Sequence, residues 1–239
     1  METWLSRTVQ LLGEEKMERL QQASVLVAGV GGVGGYAAEM LVRAGVGNLT
    51  IVDADSVSLS NINRQLIALH STVGRDKVEV LASRLKAINP QLGLQTLKLF
   101  LDEEEITRIL TQYRFDYIVD AIDTLAPKVS LICTAKRLKQ QIISSMGAGG
   151  RIDPTKIQYA DISKTYHCSL ARAVRRQLQK RGINSGVKVV FSTEQVRREA
   201  IIATDDERNK KSTVGTISYL PPLFGCFLAA HVIQKISGL

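Results

Sequence analysis

The stretch VDADSVSLSNINRQ (52–65) puts Asp53, Asp55, Asn61, Asn63, Arg64 and Gln65 within one short segment, and Lys77 follows thirteen residues after Arg64. Just upstream, Gly29-x-Gly31-Gly32-x-Gly34 stands between an apolar run and a helical pattern. Glycines so spaced let the backbone approach phosphate oxygens, and a helix starting there offers N–H donors and a partial positive charge. Alone, that turn does not separate NAD, FAD, SAM and ATP. Asp53 lies 24 residues beyond Gly29, where a carboxylate can hold ribose hydroxyls. A pyrophosphate with about two negative charges is satisfied by backbone N–H groups, whereas a triphosphate with about four calls for cations. Arg64 presents a planar fork and Lys77 a point charge. Asp123, in VDAIDT, is a carboxylate able to hold Mg²⁺ against phosphates. Taken singly, Arg64 or Lys77 reads as an ordinary surface residue. As a set at one end of successive strands, these residues point to a nucleoside triphosphate.

The elements that must carry them follow from periodicity. Residues 7–22 read as a helical pair punctuated by Gly13, and SVLVAGV as a buried parallel strand. GVGGYAAEMLVRAGV continues as a helix, LTIVD as a second strand, and Val78, Leu81, Leu85 and Ile88 fall at helical spacing before Asn89-Pro90. LQTLKLFL is a third strand, EEEITRILTQY a helix, FDYIVDAID a fourth strand, PKVSLICTAKRLKQ a helix and QIISSMGAGG a further strand. This alternation predicts an α/β fold, a Rossmann-like, doubly wound, mostly parallel sheet with helices on both faces. After Gly150 the reading gives strand and loop in RIDPTKIQYADIS, a basic helix in SLARAVRRQLQKRGI, a strand in VKVVFSTE and a polar, mobile loop in REAIIATDDERNKKSTVGT. The expected division is a nucleotide-binding core with N-terminal helices over 1–150 and a substrate-side extension over 151–239, together one domain.

A chain of 239 residues, 45% hydrophobic, has ample length for one core. No charged n-region followed by an apolar run opens it, so no secretory signal is expected. Cys133, Cys168 and Cys226 are widely spaced without a CxxC pair, which argues against a disulfide framework or a structural zinc site and suits a reducing cytoplasm. The apolar end, ISYLPPLFGCFLAAHVIQKI, is broken by Pro221 and Pro222, and the remainder from Leu223 to Ile236 holds His231, Gln234 and Lys235. That is a buried or interface helix rather than a membrane span, with peripheral membrane contact as the lesser alternative. Of the net charge of +8, residues 161–211 hold twelve Lys/Arg against six Asp/Glu. A solvated face would account for the charge alone, and a polyanionic partner is what it would serve on an α/β core.

GVGGVGG, VDADSVSLSNINRQ, GRDKVE and VDAIDT resemble the adenylating domain of the ubiquitin-activating (E1-like) superfamily over about residues 5–150. The resemblance implies attack of a substrate carboxylate on the α-phosphate of ATP, giving an acyl-adenylate and pyrophosphate. It implies that Gly29, Gly31, Gly32 and Gly34 contact the nucleotide, with Asp53 at the ribose and Asp55 and Gln65 in the same binding loop. Asn61, Arg64 and Lys77 then address the triphosphate and Asp123 supports Mg²⁺. Arg7, in SRTVQLLGEE, stands where that superfamily has an arginine reaching into the partner subunit's site, which implies a homodimer.

Many bacterial members activate the C-terminal glycine of a sulfur-carrier protein and carry CxxC pairs or a sulfurtransferase domain, and this chain has neither. MGAGGRIDPTKIQYADISKT, SLARAVRRQLQKRGI, VVFSTE and GTISYLPPLFG instead resemble the tRNA threonylcarbamoyladenosine dehydratase branch. That branch activates the threonyl carboxylate of a modified adenosine at position 37 of tRNA, then closes a ring by intramolecular attack. The basic residues Arg172, Arg175, Arg176, Lys180, Arg181, Arg197, Arg198, Lys210 and Lys211 become nucleic-acid candidates. A sulfur-carrier adenylyltransferase stays open as the alternative, with a sulfur-relay or carrier protein as partner, and a non-catalytic nucleotide-binding scaffold as a third reading. Cys168 precedes the basic helix, where a helix N-terminus and His167 would favour a thiolate. A cyclisation needs no external nucleophile, so Cys168 is expected to be structural or incidental. Cys133 and Cys226 are expected in the core, and His70 in a loop.

Overall fold

The computed structural model of the protein describes residues 3–203 and 212–239. Two short helices, α1 (Ser6–Leu12) and α2 (Glu14–Gln22), hinge at Gly13, whose φ of +83° a side chain would oppose. Then follow β1 (Ser24–Ala28), α3 (Gly34–Arg43), β2 (Asn48–Val52), α4 (Lys77–Ile88), β3 (Gly93–Leu97), α5 (Glu103–Gln112), β4 (Tyr117–Asp120), α6 (Leu125–Arg137) and β5 (Ile142–Ser145). The second half adds β6 (Ile157–Asp161), α7 (Ser169–Lys180), β7 (Lys188–Ser192), β8 (Ile201–Ala203), β9 (Ser212–Val214) and α8 (Leu220–Ser237).

The strands β3-β2-β1-β4-β5-β7-β6 form one seven-stranded sheet, parallel except for β6, which runs antiparallel to β7. The alternation of side chains along each strand feeds two cores. Val25 and Val27 of β1 pack with α3, α4 and α8 on one face, and Leu26 and Ala28 pack with α5, α6 and α7 on the other. Residues on both sides of Gly150 therefore share one sheet, and α8 lies against α3 so closely that a Cβ on Gly225 would meet Val33 O at 2.4 Å.

Three expectations are corrected. The third strand stops at Leu97 rather than running to Leu101, because β3 is an edge strand and its partner β2 ends at Val52, opposite Leu97. Pro221 and Pro222 do not precede the last helix. They form its first turn, where a missing N–H costs nothing. The segment expected to be a polar loop contains an antiparallel ribbon, with Ile201 paired to Val214 and Ala203 to Ser212. Among the described residues no helix is long and apolar enough to cross a membrane, and the apolar stretch of α8 is spent on α3, burying Phe224, Leu228 and Val232.

α8 also buries His231, hydrogen-bonded through Nε2 to the Tyr117 hydroxyl at 2.9 Å. Burial, with smaller contributions from the charges of Lys188 and Lys235, lowers its pKa to about 4, and burial pushes Tyr117 up to about 12. A histidine titrates near 6.5 in the unfolded chain, so below that pH the unfolded state takes a proton the folded state refuses. Stability is therefore full above pH 6.5 and falls as the pH drops towards 4, by about 3 kcal/mol in all. His231→Gln keeps a partner for Tyr117 without titrating, and urea unfolding at pH 7 and at pH 4.5 should show a much smaller loss in that variant. An equal loss in both proteins would show that His231 is not the group responsible.

Candidate active site

The order of the sheet reverses between β1 and β4, and at that crevice the carboxyl ends of the strands converge. The glycine turn leaves β1 there. Gly29 has φ +83°, and a Cβ on it would stand 2.9 Å from Ala121 O, in the turn that follows β4. A Cβ on Gly34 would fall 1.8 Å from Gly29 O, so α3 can begin this close to β1 only without a side chain. Gly31 faces Gln65, with 3.6 Å from its absent Cβ to Nε2, and Gly32 faces Pro221 at 3.1 Å and Arg64 O at 3.2 Å. The loop 61–65 thus roofs the turn.

Asp53, at the end of β2, accepts Val30 N–H on Oδ2 at 2.8 Å and Asp55 N–H on Oδ1 at 2.9 Å. Burial pushes its carboxyl above the usual range, while the Lys77 charge and those two N–H donors pull it back. Lys77 is the first residue of α4, and its ammonium lies 2.7 Å from Asp55 Oδ2, the lysine side chain 7% exposed and the aspartate 70%. Asp55 therefore faces solvent and holds Lys77. Asn61 is buried and shapes the loop, its Oδ1 accepting Ser58 N–H at 3.1 Å and its carbonyl accepting from Arg64 and Gln65. Arg64 Nη1 donates to Ser60 O at 2.8 Å and to Asn63 Oδ1 at 2.9 Å. Gln65 Oε1 is buried with no hydrogen-bond partner among the described residues. Such an acceptor costs about 1–3 kcal/mol unless a ligand donates to it, and an adenosine brings amino and hydroxyl donors. Gly31, Gly32, Arg64 and Gln65 thus fit a nucleotide.

Asp123 is exposed in the turn after β4. That turn is fixed from below by two residues that sequence reasoning passed over. Asp120 and Lys128 are both fully buried, with Nζ 2.7 Å from Asp120 Oδ2, 3.1 Å from Ser144 Oγ and 2.9 Å from Ser145 O. Asp120 Oδ1 accepts Ile122 N–H at 3.1 Å, one residue before Asp123. An acid ending the apolar strand YIVD and a lysine on the apolar face of the next helix were the signal available. Arg151 was also missed. It is 2% exposed, and its guanidinium donates to four carbonyls, those of Gly147, Gly149, His167 and Glu194. It braces the turn after β5. Arg7 lies exposed on α1, and His70 is exposed in its loop.

On the other side of the edge, α7 buries Ala171, Val174 and Leu178 and leaves Arg172, Arg176 and Lys180 exposed, followed by exposed Arg181. Arg175 is half-buried, donating to Thr165 Oγ1 at 2.7 Å and Thr165 O at 3.0 Å, so its guanidinium anchors the preceding loop. Cys168 is buried at the N-cap, its Sγ accepting Ala171 N–H, and it packs in the core with Ala171 and Val174. Cys133 and Cys226 are half-buried, and burial raises both thiols. An open cavity of about 740 Å³ lies between α6 and α7, lined by Leu125, Ala173, Arg176, Gln177, Gln179 and Lys180, and Leu125 is two residues past Asp123. Arg197 is exposed, whereas Lys210, Lys211 and the side chain of Arg198 lie outside the described residues.

A glycine turn at the switch point, a polar roof carrying Arg64 and a buried lysine opening α4 make this a candidate nucleotide site on an E1-like fold. The chain belongs to the ThiF family, which it matches over residues 5–239. It is 40% identical to the tRNA threonylcarbamoyladenosine dehydratase of Bacillus subtilis, across 97% of this chain and 93% of that one. The crystal structure of the Escherichia coli tRNA N6-threonylcarbamoyladenosine dehydratase in complex with ATP superposes with a TM-score of 0.88 at 33% identity, covering 98% of this chain and 93% of that one. The molybdopterin-synthase adenylyltransferase of Escherichia coli is 35% identical over 63% of this chain and 60% of its own length.

Gly34→Ala tests the turn. Overpacking of this kind costs about 1–3 kcal/mol or more, and the added methyl must push Gly29 away from the crevice. ATP affinity, measured by titration calorimetry, should fall at least tenfold while far-UV circular dichroism stays unchanged; unaltered affinity would show that the turn does not hold the nucleotide.

Proposed function

We infer that this protein is an ATP-dependent tRNA threonylcarbamoyladenosine dehydratase. The observation that carries the reading is the extent of similarity: the dehydratases align across both halves, α7 included, while the sulfur-carrier adenylyltransferase aligns over 63% of the chain. In this reading 1–150 works as the nucleotide half and 151–239 as the RNA half of one domain. The threonyl carboxylate attacks the α-phosphorus of ATP, one of its oxygens bonding to phosphorus as pyrophosphate leaves. An atom of the same threonylcarbamoyl group then attacks the activated carbonyl carbon, AMP leaves with the carboxylate oxygen, and the nucleoside has lost one water.

The chain's own residues supply position and charge. Gly29, Gly31, Gly32 and Gly34 admit the phosphates, and Asp53 and Gln65 address the nucleoside. Asn61 holds the loop that aims Arg64, and Lys77 turns from Asp55 to the phosphates. Mg²⁺, when bound, neutralises phosphate charge. Among the described residues no three His, Cys, Asp or Glu side chains could hold a metal. The ion would be shared between Asp123 and the nucleotide, which suits a cation that keeps few protein ligands. Arg7 would act in the site of a second copy, making the working unit a homodimer in the cytoplasm. A sulfur-relay or carrier protein enters only if the substrate is different. Arg172, Arg176, Lys180 and Arg181 face the RNA along the cavity beside Leu125 and, with Lys210 and Lys211, make up the candidate nucleic-acid contacts, while Arg175 holds the loop before α7 through Thr165.

The deciding experiment incubates tRNA bearing threonylcarbamoyladenosine with enzyme, ATP and Mg²⁺, then digests it for nucleoside mass spectrometry. ATP-dependent loss of one water is expected, and Arg64→Ala or Lys77→Ala should abolish it in folded protein. Unchanged nucleoside, with pyrophosphate exchange only on adding a Gly-Gly-tailed carrier protein, would move the function to sulfur-carrier activation. On the RNA side, Arg176→Glu with Lys180→Glu should weaken tRNA binding and flatten its salt dependence, each lost phosphate contact removing about one unit of slope. An unchanged slope would take α7 out of the interface.

A further inference from the structure

Asn63 has no part in the reading above, yet its side chain stands between the two halves of the site. Its Oδ1 accepts from Arg64 Nη1 at 2.9 Å, and its Nδ2 donates to the carbonyl oxygen of Thr216 at 2.9 Å. Thr216 lies two residues past β9, at the root of the ribbon. The root is gripped from the far side as well. Gly150 N–H donates to Gly215 O at 2.8 Å, the Tyr219 hydroxyl donates to Ile152 O at 2.7 Å, and a Cβ on Gly149 would touch Thr216 Oγ1 at 3.1 Å. The chain then reaches Pro221, which packs on Gly32 of the nucleotide turn. Residues 214–221 are thus wedged between the turns that follow β1 and β5, and Asn63 ties them to the loop carrying Arg64.

The amide can sit only one way round. Flipped, it would set Nδ2 against the Arg64 donors and Oδ1 against the Thr216 carbonyl, two repulsions in place of two bonds. Arg64 Nη1 has two N–H groups, and in this structure they go to Ser60 O and Asn63 Oδ1. Phosphates that draw on Arg64 therefore load Asn63, and what loads Asn63 is felt at Thr216.

We propose that Asn63 is a positioning residue: one amide, shared between Arg64 and the Thr216 carbonyl, sets the β8–β9 ribbon against the nucleotide and makes the seating of RNA there depend on bound ATP. The ribbon and its root present Ile201, Ile202, Ile217 and Tyr219 to solvent, with Arg197 beside them. These are apolar and aromatic surfaces against which unstacked bases pack. The proposal rests on the function inferred above for its RNA ligand, but the tie itself is independent of it.

The test follows hydrogen exchange in the peptide 212–219, with and without saturating ATP, in wild type, Asn63→Ala and Asn63→Asp. ATP should slow exchange at least threefold in the wild type and not at all in Asn63→Ala. Asn63→Asp keeps an acceptor for Arg64 but sets an oxygen against Thr216 O, so it should lose the response too. In turnover, Asn63→Ala should raise the KM for tRNA roughly three- to tenfold, the equivalent of one hydrogen bond, with kcat less affected, and Asn63→Gln should restore part of it. Slowing that persists in Asn63→Ala, or no slowing in the wild type, overturns the tie whatever the substrate is. A wild type that shows the response but leaves the modified tRNA unchanged overturns the substrate reading and keeps the tie.

Discussion

The site depends on a contact between backbones. Gly34 can open α3 against the Gly29 carbonyl, and Gly29 can rest on the Ala121 carbonyl, because none of the side chains that would prevent it is present. That contact brings the turn after β1 and the turn after β4 together at the point where the strand order reverses. Asp53 locks it from the β2 side through Val30 N–H. In the proposed function the first turn would grip phosphate and the second supply a carboxylate, and both would have to be held in register, since a displacement of about 1 Å can cost about 10²-fold in rate. The glycines exchange chain entropy for that closeness.

Beneath the edge, two buried cations hold the turns that carry chemistry. Lys128 spans Asp120, Ser144 and Ser145, and so joins β4 to β5, while Arg151 gathers four carbonyls under the turn after β5. Burying charge is expensive, and a hydrophobic pair of similar volume would be as stable or more so. What a charge adds is direction. Each donor accepts one arrangement of oxygens, so turns that glycine leaves permissive are given a single shape. His167 illustrates the force available: a non-glycine residue with φ +51°, kept there by Arg151 at its carbonyl and by Thr193 O at its ring. Cys168 follows directly, and its burial under Gly147 comes from that same packing.

How much of this the sequence reveals depends on the range of the interaction. Alternation and helical spacing are local, and they place the strands, the helices and the glycine turn. The segment 52–65 stands out in the sequence as a candidate ligand loop because its polar residues exceed what a turn needs. Partnerships are not local. Lys77 with Asp55, Asn63 with Thr216 and Lys128 with Ser144 join residues 22, 153 and 16 positions apart, and no period announces them. The β8–β9 ribbon looks like loop in the sequence because its strands are three residues each and its polar neighbours dominate the pattern. Arg175 looks like its neighbours on paper, and only the position of Thr165 separates an anchoring arginine from an exposed one.

Charge is partitioned along the same divide. Among the described residues the ion pairs run from Glu15 to Lys128, and they neutralise the nucleotide half's own cations: Lys77 with Asp55, Arg84 with Glu39, Lys98 with Asp76. Among the described residues no ion pair includes Arg172, Arg176 or Lys180, which stand exposed on α7. A fold optimised for its own stability would intersperse acids there, since like charges at helical spacing repel. Cations with no ion pair among the described residues keep their potential for something outside the chain. In the proposed function a triphosphate, being small, would be met by a few pairs that can exchange partners, and a polynucleotide, being long, by a row of exposed cations.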